Sequence, residues 1–488
     1  MSKTKVYIFL LYISIISIII SVFFDNSGIN SRQDKKTGSD KFTIINPSYQ
    51  NKYSRIFADL PERYVRFGNF LFYLARQGDS VRDIAEKSVR YTRFYKAYRL
   101  QIAIREYNGF YYDRIEKDMP VYIPYPQMPF LPLIEKRKKP AIIYSRGIYF
   151  TGNSIGDNGI EEAVARYKKV GINTIVFDVK DITGIVNYYS SVPDVLEYNT
   201  HQKRTIDDID KLIRILKKEG IHIIARIAVF QDHLFFKNNP SAAIRSARTG
   251  GAWYSGSEIW CDPTNKNVQD YNIELAIELC EKGVDEIQFD YIRFPTAGVL
   301  SDAVFAYSYG RMTKEEAITD FLKRAYTEIS KRNTLLSIDI FGVTAWSKNV
   351  DSNKTGQRIE LLSKYCDIIS PMLYSSHFND DFDGFANPGD EPYYFVYNGC
   401  KRTIALANGK VIRPWLQAFR WRVTKYDENY IYKQIAGSRD CGAFGYLFWN
   451  SKNDYKVVYS ALEKLVSVKQ KKQIEQSLVK PEDRASVQ

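Results

Sequence analysis

Between Ala141 and Val468 the chain repeats one pattern eight times: a short apolar run, then an amphipathic helical stretch. The apolar runs are AIIYSRGIYF, NTIVFDVKD, HIIARIAVF, VDEIQFDYIRF, TLLSIDIFG, DIISPMLY, VIRPWLQAF and GAFGYLFWN. Helical stretches such as GIEEAVARYKKVG, TIDDIDKLIRILKKEG and VQDYNIELAIELCEKG lie between them, with stops at Gly171, Gly220 and Gly283. Eight such alternations in roughly 330 residues predict an α/β chain closed as a (β/α)8 TIM barrel. A doubly wound open sheet uses the same alternation. It would carry a glycine-rich nucleotide loop after its first strand, and none follows AIIYSRGIYF.

Strand residues alternate between two faces, so parity sorts the barrel interior from the helix-facing side. In DEIQFDYIRFP, Ile287 and Phe289 suit the outer helices, whereas Gln288 and Asp290 face the axis. The same count turns inward Asp178 and Lys180, Arg226, Ser337 and Asp339, Tyr374, and Arg413 with Gln417. Barrel interiors are normally filled with branched apolar side chains, and active sites form at the C-terminal strand ends. Asp290, Asp339 and Asp178 are therefore the candidate catalytic carboxyls. Arg226, Lys180, Gln288, Tyr374, Gln417 and Trp449 are candidate substrate contacts, with Asp181, Asp232, Arg293 and His377 on neighbouring loops. A buried ion-pair network without chemistry would satisfy the same charges, but a barrel needs none to fold. Trp346, Trp415, Trp421 and Trp449 lie near strand ends, where rings stack on sugars or fill a core.

The N-terminus reads differently. Lys3 and Lys5 precede an apolar run from Val6 to Phe24, long enough to span a bilayer. No A-x-A site follows it, so residues 1–25 are expected to be a retained signal anchor, with the bulk of the chain extracytoplasmic. A polar tether (26–67), a compact basic and aromatic domain (68–126), a proline-containing linker (127–140), the barrel (141–468) and a polar tail (469–488) complete the organisation. Of the net charge of +13, residues 1–139 carry 24 basic and 13 acidic side chains, or +11. The near-neutral remainder argues against a nucleic-acid enzyme, and the basic N-terminal part suits an anionic membrane or wall polymer. Five scattered cysteines and four histidines form no CxxC or Cys/His cluster, so neither a metal nor an organic cofactor is expected.

FDVKDITGIVNYYS, ARIAVFQDHLFFKNNP, GGAWYSGSEIWCDPTNKNVQDYNIELA and DEIQFDYIRFP together resemble a bacterial family of predicted glycoside hydrolases catalogued as a domain of unknown function. The resemblance implies a TIM barrel distantly similar to α-amylase-like enzymes, with a strand-four aspartate as nucleophile and a strand-five acid as proton donor. By strand position these are Asp290 and Asp339. YLARQGDSVRDIAEK and EKDMPVYIP resemble a LysM module, which implies a βααβ domain that binds N-acetylglucosamine polymers such as peptidoglycan.

The expected activity is hydrolysis of a polysaccharide or peptidoglycan-type glycan by a membrane-anchored protein using paired carboxyl groups, Asp290 with Asp339 or with Asp178. The alternative is a catalytically silent glycan-binding or envelope scaffold. A barrel isomerase or aldolase would want a phosphate-binding glycine turn after strands seven and eight, where this chain reads RWRVTKY and NSKNDYK.

Overall fold

The computed structural model describes residues 63–478, apart from short stretches at 68–69, 93, 95–96, 112–114, 125–137, 158, 257, 306–311 and 347–352. The expected membrane anchor lies outside the described residues, as do most of the tether and linker. Among the described residues, no helix is long and apolar enough to cross a membrane.

Strands β1 (Tyr64–Phe67), β2 (Phe70–Leu74) and β3 (Pro120–Ile123) form an antiparallel sheet in that order. Helices α1 (Val81–Ser88) and α2 (Ala97–Asn108) connect β2 to β3, giving a βααβ arrangement. Strand β1 is an addition: its residues fall in the stretch read as tether. Gly78 takes a positive φ of 89° in the turn before α1, and Ser80 then caps the helix in a reciprocal box with Asp83. Buried Asp79 ties this turn together, accepting from Tyr73 Oη at 2.9 Å, Arg76 N at 2.7 Å and Lys87 Nζ at 2.7 Å.

The barrel strands are β4 (Ser145–Phe150), β5 (Thr174–Lys180), β6 (His222–Ala228), β7 (Glu286–Asp290), β8 (Leu335–Phe341), β9 (Ile368–Met372), β10 and β11 (Gly445–Trp449). Strand β10 is split into Val411–Ile412 and Trp415–Gln417, because Pro414 has no N–H to give the ladder. Each strand pairs in parallel with the next, and β11 pairs with β4, which closes an eight-stranded barrel. The surrounding helices are α3 (Ile160–Lys169), α4 (Ile209–Lys218), α5 (Lys266–Lys282), α6 (Lys314–Lys331), α7 (Ile359–Leu362), α8 (Pro392–Leu406), α9 (Glu428–Asp440) and α10 (Lys456–Leu478). Helix α7 is a single turn, and α10 continues to Leu478, beyond the start of the expected polar tail. Gly171, Gly220 and Gly283 all adopt positive φ after their helices, as the stop signals require.

The main core lies between strands and helices, where Ile223, Ala225, Ile227, Ile287 and Phe289 are fully buried. A smaller apolar cluster, including Tyr149, Val176, Ile224, Trp415 and Leu447, fills part of the barrel interior. Gly147 makes room there: a Cβ on it would stand 2.4 Å from Leu447 Cδ2. Lys211 of α4, fully buried, extends its ammonium to backbone carbonyls of the small domain, at Val89 (3.2 Å), Thr92 and Phe94 (2.5 Å).

Candidate active site

The barrel interior carries polar groups in two places. At the N-terminal end, Arg413 forks onto Glu286, with Nη1 to Oε2 at 3.2 Å and Nη2 to Oε1. His222 Nε2 lies 2.9 Å from Glu286 Oε2, and Ser145 Oγ accepts from Arg413 Nη1 at 3.1 Å. The Arg413 guanidinium and the bond from His222 outweigh burial and hold the Glu286 carboxyl down at about 2. The carboxylate of this closed cluster has both oxygens bonded, although Arg413 Nε is left without a partner among the described residues.

At the C-terminal mouth one guanidinium meets three carboxyls. Arg226 Nη1 bonds Asp178 Oδ1, Nη2 bonds Asp290 Oδ2 at 2.5 Å, and Nε lies 3.8 Å from Asp339 Oδ2. Register explains the meeting: Asp178 stands beside Arg226, which stands beside Gln288, and Asp290 is one inward step further along β7. Tyr149 Oη donates to Asp178 Oδ2, and Trp415 Nε1 donates to Asp339 Oδ1 at 2.7 Å. Burial raises the Asp178 carboxyl above its usual range despite Arg226. It raises Asp339 well above that range, with the Asp290 charge adding to the effect. Asp178 and Asp339 are thus the two acids whose protonated forms this environment favours. They differ in access, since Asp178 is 5% exposed and Asp339 only 1%. Asp339 Oδ2 is shielded from solvent and has no hydrogen-bond partner.

Asp290 is held by an unusual backbone. Tyr291 has φ of 55°, a left-handed conformation that costs a bulky residue on the order of 1 kcal/mol. It turns the Tyr291 N–H back onto Asp290 Oδ1 at 2.6 Å, so both carboxyl oxygens are anchored. Strain of this kind persists where a side chain must be aimed.

Other expected contacts divide. Tyr374 stacks on Trp449 at 5.6 Å between ring centroids, and Phe419 packs edge-on against both. His377, Phe419, Trp421 and Trp449 line a cleft of about 650 Å³, with Trp421 49% exposed on its rim. Trp346 packs against Phe378 and Phe395 away from that cleft, and Trp415 is sealed inside the barrel.

Lys180 corrects the parity count. The β5–β6 register shifts between Asp178 and Lys180, so Val179 is an extra residue and Lys180 pairs with Ile227, on the helix-facing side. There it forms a fully buried pair with Asp232 at 2.5 Å and lies 5.3 Å from the Tyr271 ring centroid of α5. Asp232 also caps the short helix His233–Asn238, so the structure places both side chains in a buried pair on the helix-facing side, away from the Arg226 cluster. Gln417 is spent as well: its amide accepts from Ser376 N at 3.3 Å and donates to Phe419 O at 3.0 Å. Gln288 faces the axis beneath Asp290, fully buried, with Nε2 3.4 Å from Ser370 Oγ. Asp181 Oδ1 accepts from Thr183 N and Oγ1 in its own loop. Arg293 is buried between the Phe341 and Trp260 rings, with centroids at 4.1 and 4.6 Å. Tyr149 escaped the sequence reading, although the parity test applied to AIIYSRGIYF would have found it. Among the described residues, no group of three His, Cys, Asp or Glu side chains could hold a metal ion.

A closed barrel with surplus carboxyls and an aromatic cleft at its C-terminal mouth is the architecture of a carbohydrate-active hydrolase. Residues 147–455 match the family model described as "Putative glycosyl hydrolase domain", and the chain belongs to that family. No curated protein matches it. Similar solved structures include a hypothetical protein from Ruminiclostridium thermocellum (35% identity, covering 39% of this chain and 96% of that one, TM-score 0.36). The Bacillus cereus spore cortex-lytic enzyme SleL is also similar (11% identity, 81% and 86% coverage, TM-score 0.38). A third is α-L-fucosidase isoenzyme 2 from Paenibacillus thiaminolyticus (14%, 66% and 49%, 0.46).

Proposed function

We propose that this glycosidase cuts its glycan with Asp290 as the carboxylate facing the anomeric carbon and Asp178 as the proton donor. The observation that carries this reading is the single guanidinium of Arg226 shared by both acids at the barrel mouth, with both anchored and both keeping a small exposure that Asp339 lacks. Asp178 gives its proton to the glycosidic oxygen as the bond to the anomeric carbon breaks. Asp290 stabilises or captures that carbon, and water completes the hydrolysis. Asp339, sealed under the mouth, positions Arg226 and Trp415 and gives no proton to the substrate. This departs from the strand-five donor that family resemblance implies, because a shielded oxygen cannot reach a leaving group.

The apolar run from Val6 to Phe24 and the basic N-terminal third support an anchored, extracytoplasmic enzyme acting on an envelope glycan, with the βααβ domain touching the wall. Incubating the purified full chain with peptidoglycan and a polysaccharide panel tests the activity. Release of sugar by the wild type and none by Asp290→Asn is expected; no release from any glycan would sink the hydrolase reading. The anomeric form of the first product, read by NMR, assigns capture (retention) or water activation (inversion) to Asp290. A cell fractionation that finds the intact chain only in the soluble fraction would remove the anchor, and failure to sediment with peptidoglycan at low salt would remove the wall contact.

A further inference from the structure

Arg293 is a buried cation, and the three N–H donors on its Nε and Nη2 are unused among the described residues. It is 7% exposed, and Nη1 donates to Phe294 O at 3.2 Å. Its plane lies among the rings of Phe341, Trp260 and Tyr291, which accept the charge through their faces and offer no hydrogen bond. Among the described residues no carboxylate lies within ion-pair distance of it. The fields of Asp290 and Glu258 reach it, but Glu258 Oε2 accepts from Trp260 Nε1 at 3.0 Å instead. Among the described residues Nε and Nη2 have no hydrogen-bond partner, yet neither is a fully shielded unpaired atom, so both keep some contact with solvent. These two atoms form the side edge of a guanidinium, whose parallel N–H bonds match the two oxygens of a carboxylate. The other buried arginines spend their forks on carboxylates within the chain, Arg226 on Asp178 and Asp290 and Arg413 on Glu286. Leaving such a group buried and unpaired is costly, and Arg293 stands three residues beyond Asp290.

We propose that the free edge of Arg293 is a carboxylate-binding subsite, and that the glycan cut at Asp290 carries a carboxylate on a sugar at or beside the scissile bond. The substrate class is an acidic glycan, with the carboxylate part of a uronic acid or of a lactyl ether on an amino sugar. The inference rests on the hydrolase reading for its substrate, while the subsite itself is a matter of binding.

The test uses the full chain carrying Asp290→Asn, so that ligands survive the measurement. Calorimetry would compare oligogalacturonates, oligomannuronates and an N-acetylglucosamine–N-acetylmuramic acid oligomer, each beside its carboxyl-reduced counterpart. At least one acidic probe should bind ten times or more tighter than its reduced form, and which one does so identifies the source of the carboxylate. Adding Arg293→Gln should erase that preference while moving the affinity for the reduced probe less than about threefold. Arg293→Lys, which keeps the charge but loses the fork, should retain only part of it, and it decides the matter if the glutamine variant melts early. Equal binding of acidic and reduced probes, no binding of any acidic probe, or a preference that survives loss of Arg293 overturns the subsite. A wild-type chain that binds an acidic probe and never cuts it would sink the hydrolase reading instead. Cleavage confined to neutral glycans would sink the subsite alone.

Discussion

The two ends of the barrel interior contain the same ingredients in different proportion. At the N-terminal end one arginine meets one glutamate, at the mouth one arginine meets three aspartates, and all are buried. Burial alone therefore does not decide what these carboxyls do. At the closed end the guanidinium outweighs desolvation and the acid is held ionised. At the mouth one cation cannot neutralise three acids, and two of them are pushed towards their protonated forms. A paired charge in a barrel is structure; a surplus of acid is stored reactivity.

Breaking the mouth should have the largest effect. Asp290→Asn keeps shape and removes the charge, so turnover should fall at least about 10³-fold with the circular dichroism spectrum unchanged. Asp178→Asn should lose about 10²–10⁴-fold on a natural glycan. It should lose far less on an aryl glycoside whose leaving group needs no proton. The decline of wild-type activity as pH rises through the raised Asp178 pKa should vanish in this variant. An equal loss on both substrates would take the proton-donor role from Asp178.

The same carboxyl-to-amide change should separate the two ends in stability. Glu286→Gln breaks a buried pair and should cost roughly 3–5 kcal/mol in denaturant unfolding. Asp339→Asn replaces an acid already favoured as neutral and should stay within about 1 kcal/mol of wild type. Their pH dependences should run in opposite directions. Because the folded pKa of Glu286 is depressed, its stabilisation is present above the ordinary carboxyl range and is lost as pH falls towards about 2. Because that of Asp339 is raised, its stabilisation is present below the ordinary range and is lost as pH rises through the raised value. Unfolding curves across pH should show Glu286→Gln flattening the acid side and Asp339→Asn the side above it. The smallest effect belongs to the cleft rim. Trp421→Ala should weaken glycan binding by about 1 kcal/mol or less, with stability unchanged, since the ring is half exposed.

Much of this was legible in the chain. The eight apolar runs became the eight barrel strands, because apolar periodicity and glycine stops act locally. Asp178, Arg226, Asp290 and Asp339 were brought together by nothing subtler than alternation of side chains. Misplacements came from events that alternation cannot register. The inserted Val179 reversed Lys180, long-range bonds to Ser376 and Phe419 consumed Gln417, and depth within the mouth separated Asp339 from Asp178. The left-handed backbone at Tyr291 has no signal in its residue type, since tyrosine rarely adopts it. Strand β1 was hidden because a four-residue edge strand looks like any short aromatic run.

The register shift in β5 also has a consequence for how this barrel can change over time. Asp178 and Lys180 stand two apart and in an unbroken strand would share one compartment and one fate. With Val179 inserted between them, Lys180 answers only to Asp232 and the helix layer, and Asp178 only to the mouth. Substitutions at one position are then invisible to the other, so the chemistry of the mouth can drift while the outer shell stays fixed. Deleting the single residue Val179 would remove the insertion and restore plain alternation, leaving Lys180 opposite Ile227 in the helix layer and the three acids still without an ammonium.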